Sequence, residues 1–216
     1  MTPQRFATLK RVLDKRQPDL TVIMDGVHKP HNFNAIIRTC DAVGVYEAHY
    51  IPVVENYREL TNASKGSEKY VYAHKHEKLT DIAAGFKQAG YQLLAAHLSP
   101  EAVDFRYVDY TQLTALEMGA ELDGVSQSMA ALFDQHVIVP MQGMVESLNV
   151  SVACAILLYE AQRQRLAAGL YQHVRLDEQR YADTLFEWSW PKVAELCRQQ
   201  NKPYPPLNEL GEFEPF

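Results

Sequence analysis

A chain of 216 residues that is 47% hydrophobic can bury a core the size of one domain with appended helices, or of two small domains. Its formal net charge of −6 argues against a uniformly basic surface for a polyanion. The charge is uneven, however: residues 1–78 hold 12 Lys+Arg and 9 Asp+Glu (+3), and residues 79–216 hold 9 and 18 (−9), which leaves a mild basic bias in the first third.

The N-terminus "MTPQRFATLKRVLDKRQ" is charged throughout and does not read as a secretory signal. No apolar run approaches the roughly 20 residues that a bilayer span needs. Cys40, Cys154 and Cys197 are scattered, without CxxC spacing. That usage predicts reduced thiols in a cytoplasmic protein, with neither a disulfide framework nor a zinc site.

From Gln4 to Arg16 the spacing predicts a helix. Phe6, Leu9, Val12 and Leu13 share one face, and Lys10, Arg11, Lys15 and Arg16 surround the other. "TVIMDGV" reads as a buried strand. Asn32 can cap the next helix, which holds Ala35, Ile36, Ile37 and Ala42 and can close at Gly44. "YEAHYIPVV" and "EKYVYAHK" are two further strands. "LTDIAAGFKQAG" is an amphipathic helix stopped by Gly90, and "YQLLAAHL", "LTALEMGAE" and "HVIVPM" complete six strands. "VSQSMAALF" reads as a short helix between the last two. Gly143 to Arg165 begins like a strand, with Val145, Leu148, Val150 and Val152, and becomes an apolar helix with a cationic end. Beyond Ala168 no strand pattern returns.

Strands alternating with helices predict an α/β fold with a mostly parallel sheet. The expected division is a basic N-terminal helix at 1–17, the main domain at 18–168, and a C-terminal helical extension and tail at 169–216.

The common nucleotide motifs are absent: there is no GxxxxGK[ST], and "GAELDG" is not a GxGxxG fingerprint. Ser126, Ser128 and Ser147 lack a GxSxG context. His74 and His76 share a strand face, but with no third ligand in view they read as surface histidines. Three segments carry more weight: "NFNAIIR", "MGAELDGVS" and "IVPMQGMVESLNVSVA". Each has a plain reading, as a solvated Arg38, a turn at Glu121, and helix caps at Ser147 or Asn149. The second and third, however, put glycine-rich turns just past apolar strands, where open α/β sheets bind ligands. Gly119, Gly124 and Gly143 allow close backbone approach. Met141, Met144 and Leu148 offer adaptable apolar walls. These suit an adenosine with a thioether side chain better than a phosphate.

"HKPHNFNAIIRTCDAVGV", "MGAELDGVS" and "VPMQGMVESLNVSVACAILLYEAQRQR", in this order, resemble the three motifs of the SpoU class of the SPOUT methyltransferase superfamily. The resemblance covers about residues 1–175. It implies a C-terminal trefoil knot that forms a pocket for S-adenosylmethionine, and a homodimer whose active site is completed at the interface. It also implies 2′-O-methylation of ribose in tRNA, at the D-loop guanosine of position 18, without a metal.

Carried over by position, Asn32, Arg38, Glu121, Ser147 and Asn149 are the catalytic candidates. Ala96, Gly119, Val139, Met141, Gly143 and Leu148 are the cofactor candidates. Arg163 and Arg165 stand where relatives use arginines for tRNA, and with Lys10, Arg11 and Arg16 they form the expected RNA-binding set. Asn34 replaces a small residue of the family pattern, and Ala96 often a Thr. Six residues separate Asn32 from Arg38, so they would not share a helix face, and Asn32 is expected in the loop before the helix. The alternatives are another tRNA nucleotide or a ribosomal RNA as substrate, a catalytically silent RNA-binding paralogue, and a nucleotide-dependent oxidoreductase or kinase, which the missing glycine motifs disfavour.

Overall fold

The computed structural model describes residues 1–52, 69–119 and 132–214. Its contacts divide into two units, residues 18–170 and residues 1–17 with 171–216.

In the larger unit the strands are β1 (Leu20–Asp25), β2 (Glu47–Ile51), β3 (Tyr72–Lys75), β4 (Gln92–Ala95), β5 (Val103–Asp104), β6 (Thr114–Met118) and β7 (Gln135–Ile138). They form a sheet in the order β3-β2-β1-β6-β4-β7-β5, and every described pairing is parallel. The most apolar strands lie at the centre. Every residue of β6 is buried, as are the first five of β1, because central parallel strands are covered on both faces.

Helices α2 (Pro30–Val43) and α4 (Val150–Ala167) pack together over one face, with Val22, Met24, Leu94, Leu116 and Met118 beneath them. Helix α3 (Leu79–Gln88) covers the other face with Leu79, Ile82 and Ala83, over Ile23, Leu93, Ala95 and Ala115. Local chemistry sets the ends of α2: Pro30 occupies its first turn, where a missing N–H costs nothing, and Gly44 closes it at φ 84°. Asn149 caps α4 and accepts from the Ser151 amide at 2.9 Å.

In the smaller unit, α1 (Pro3–Leu13) buries Phe6, Leu9 and Leu13, and packs with α5 (Glu178–Ser189), which is followed by α6 (Pro191–Gln199). The Tyr181 hydroxyl donates to Asp14 at 2.6 Å, and the Trp190 indole N–H donates to the Gly211 carbonyl at 2.8 Å.

Three expectations change. The sheet has a seventh strand, β5, which at two residues is too short to show a period. Residues 143–149 are irregular, not a strand, and the helix begins at Val150. Asn32 lies inside the first turn of α2 rather than before it, since Pro30 starts the helix and Lys29 is the N-cap. Arg38 and Asn32 do fall on different faces, one exposed and one buried. Most of "VSQSMAALF" lies outside the described residues.

Candidate functional site

A cavity of about 590 Å³ opens at the C-terminal ends of β4, β6 and β7. Ala96 follows β4, Met118 and Gly119 end β6, and Ile138 and Val139 end β7. The loop from Pro140 to Asn149 supplies further lining through Pro140, Met141, Glu146, Ser147, Leu148 and Asn149. Val150, Ala153 and Leu157 of α4 and Lys29 before α2 add to it. The Ala96 amide donates to the Glu117 carbonyl at 3.0 Å, and the His97 amide turns back to the Ala95 carbonyl at 2.9 Å. The turn just past β4 thus brings backbone and the small Ala96 side chain to this space. Its walls are chiefly apolar, with few polar groups, the usual make-up of a small-molecule site.

Of the six cofactor candidates, Ala96, Gly119, Val139, Met141 and Leu148 line this cavity. Gly143 does not, and nothing lies within 4 Å of where its Cβ would be. Met144 was expected to wall the site, but its side chain is fully exposed. Ser147 and Asn149 line the cavity from the third motif. Asn149 also donates to the Oδ1 of the buried Asn32 at 3.1 Å, which ties the first motif to the third. Arg38 is exposed on α2, and its side chain has no hydrogen bond or ion pair among the described residues. It is not part of the cavity lining. Glu121 lies outside the described residues.

The cationic set divides sharply. Lys10 and Arg11 are exposed on α1. Arg163 is exposed and forms two hydrogen bonds to Glu160, at 2.9 and 2.7 Å, which hold that carboxyl below its usual range. Arg16 and Arg165 are corrections, because neither has any exposed surface to offer a phosphate. Arg16 stacks on Trp188 at 5.1 Å. Arg165 donates to the carbonyls of Tyr110, Asp19 and Gln112 and forms a 2.7 Å ion pair with Asp19. A guanidinium cannot shed its charge, so burial requires that its donors find acceptors.

Sequence reasoning missed Lys29, His97, Leu98, Pro140 and Glu146 as lining residues. His97 and Leu98 directly follow β4, and the rule that ligands sit past the strand ends could have found them. His97 is held below the usual imidazole range by burial and by His136. His74 and His76 gather with His49, whose Nδ1 lies 2.9 Å from His76 Nε2. No group able to hold a metal occurs among the described residues.

Two family models match the chain, the SpoU rRNA Methylase family over residues 19–159 and SpoU, rRNA methylase, C-terminal over residues 163–215. The chain is 48% identical over 216 residues to the tRNA (guanosine(18)-2′-O)-methyltransferase of Escherichia coli K12, covering 99% of this chain and 94% of that one. It resembles the crystal structure of the Aquifex aeolicus TrmH/SpoU tRNA modifying enzyme with a TM-score of 0.80 and 43% identity, over 88% of this chain and 97% of the other. An AdoMet-bound rRNA methyltransferase from Sinorhizobium meliloti matches with a TM-score of 0.61 and 29% identity, over 71% and 59% of the two chains.

Proposed function

The chain belongs to the SpoU rRNA methylase family, and from that premise we propose that it methylates the ribose 2′-oxygen of guanosine 18 in the D-loop of tRNA, with S-adenosylmethionine as donor. The observation that carries this reading is the cavity in which residues after β4, β6 and β7 meet the third motif. Its apolar walls suit an adenosine, and the Lys29 and Glu146 side chains can complement the two charged ends of an amino acid. When bound, S-adenosylmethionine supplies a methyl group made electrophilic by its sulfonium.

The chain's own residues then hold and orient. The 2′-oxygen would accept the methyl group in line as the carbon–sulfur bond breaks, and its proton would pass to water. Arg38 presents a planar fork of donors on the exposed face of α2, suited to the hydroxyl and its neighbouring phosphate. A guanidinium holds its proton too firmly to serve as a base, so its part is orientation. Asn32 and Asn149 fix α2 to the start of α4. Ser147 faces the same cavity, and Glu121 belongs to this set through the second motif.

The same reading includes a C-terminal trefoil knot, entered by the segment MQGMVESLNVS, and a homodimer. Val152, Tyr159 and Leu166 on α4 are 47%, 52% and 53% exposed, and a second copy would cover such apolar side chains. Lys10, Arg11 and Arg163 supply phosphate contacts. No helix among the described residues is long and apolar enough to cross a membrane, and action on tRNA in the cytoplasm is part of the same proposal. The division at residues 17 and 168 belongs to the same proposal.

The test is incubation of unmodified tRNA transcript with the protein and isotopically labelled donor, followed by nucleoside mass spectrometry. One 2′-O-methylguanosine, lost when guanosine 18 is replaced, is the expected result. Label elsewhere in tRNA, or only in ribosomal RNA, would overturn the substrate assignment.

A further inference from the structure

Two histidines meet at the cavity edge. His97 lines it, and the ring of His136 on β7 stands edge-on to the His97 ring, with centroids 5.4 Å apart at 88°. The His136 Nδ1 and the Ser99 hydroxyl lie 2.7 Å apart, so His136 is held in place. The His97 ring nitrogens have no hydrogen bond among the described residues. A half-buried imidazole whose charge nothing described would neutralise is thus part of a wall of the ligand space. Among the described residues, Lys29 and Glu146 are the other ionisable side chains of that lining.

We propose that His97 selects between the methyl donor and the spent product by their charge, the neutral ring admitting both and the protonated ring disfavouring the donor. The inference rests on the cofactor reading of the cavity. The donor and its product, S-adenosylhomocysteine, share adenosine and amino-acid ends. They differ by one methyl group and one positive charge on sulfur. A cation on His97 therefore repels one and not the other. Burial and the facing His136 both oppose protonation, so the donor-admitting form extends below the ordinary imidazole range. At acid pH the balance moves toward product retention.

Calorimetric titration of both ligands from about pH 5 to about pH 8 reads this directly, because titrations of their common ends cancel in the ratio of Kd values. In the unaltered protein the donor-to-product Kd ratio should rise on the order of fivefold toward acid pH. His97→Asn should abolish the rise, and His136→Asn should move its midpoint to higher pH. By the reciprocity of linkage, NMR titration of His97 should give a lower midpoint with donor bound than with product bound. A flat ratio with both ligands bound, or a pH-dependent ratio that survives in His97→Asn, overturns the proposal alone. Failure of both ligands to bind at any pH overturns the cofactor reading with it.

Discussion

The two ends of α4 both carry polar residues that sequence assigns to function, yet only the first opens onto the cavity. At the start, Ser147 and Asn149 precede an N-terminus whose cap bonds across to Asn32, and the loop before it lines the ligand space. At the far end, Arg165 is fully buried and bonded to Asp19, Tyr110 and Gln112. Helix electrostatics favour both arrangements, a side-chain acceptor at the N-terminus and a cation at the C-terminus. The difference is solvent access. An exposed polar group can serve a ligand, whereas a buried charge must be satisfied by the protein itself.

The sharpest way to break this comparison is Arg165→Ala. It strands Asp19 and three carbonyls, so unfolding by urea should show a loss of about 3–5 kcal/mol. Wild-type stability combined with weakened tRNA binding would return Arg165 to the RNA-contacting set. At the functional end, Arg38→Lys should lower kcat/KM by about 100-fold, or roughly 2.7 kcal/mol, because an ammonium lacks the planar fork. Donor affinity and the melting midpoint should hold. Single-turnover methylation near the wild-type rate would remove Arg38 from the mechanism.

Glu117 sharpens the comparison from a third position. It sits in the middle of the sheet with no exposed surface, and neither carboxyl oxygen has a hydrogen-bond partner among the described residues. Its strand register with Ile23 and Ala95 places it on the α3 face, as is Asp25. Unlike Arg165, a carboxyl can escape its desolvation by staying protonated, and burial, with Asp25 adding to it, raises its pKa well above 4.5. The folded pKa is the higher one, so stability is fully present below the unfolded value and falls as pH rises toward the folded value, by about 1.4 kcal/mol per unit. Glu117→Leu should therefore stabilise the protein by about 1–2 kcal/mol at neutral pH and flatten that slope. Denaturation curves at several pH values measure both effects, and an unchanged slope would mean that the carboxyl finds water or a partner. The smallest effect is expected on α1. Replacing Lys10 and Arg11 together with Gln should reduce the salt dependence of tRNA binding by about one to two units of log–log slope, with donor affinity unaltered. An unchanged slope would show that the helix does not touch RNA.

Sequence alone determined what depends on neighbours in the chain. The apolar runs located β1, β2, β4, β6 and β7, and Gly44 and Gly90 marked helix ends that both adopt φ 84°. Five of the cofactor candidates line one cavity because they directly follow strands or sit in the loop after β7, a relation that is itself local. Only the tertiary structure decided the rest. Leu148, Val150 and Val152 alternate with polar residues as a strand would, but among the described residues no strand pairs with them; the chain stays irregular to Asn149, and Val150 and Val152 join α4. Arg163 and Arg165 are equal as letters, two positions apart on one helix. One faces water beside Glu160, while the other meets Asp19, 146 residues away in the chain. Which side of a helix is buried shows in periodicity, but what waits there to receive a charge is set by contacts between distant segments, and no local pattern encodes it.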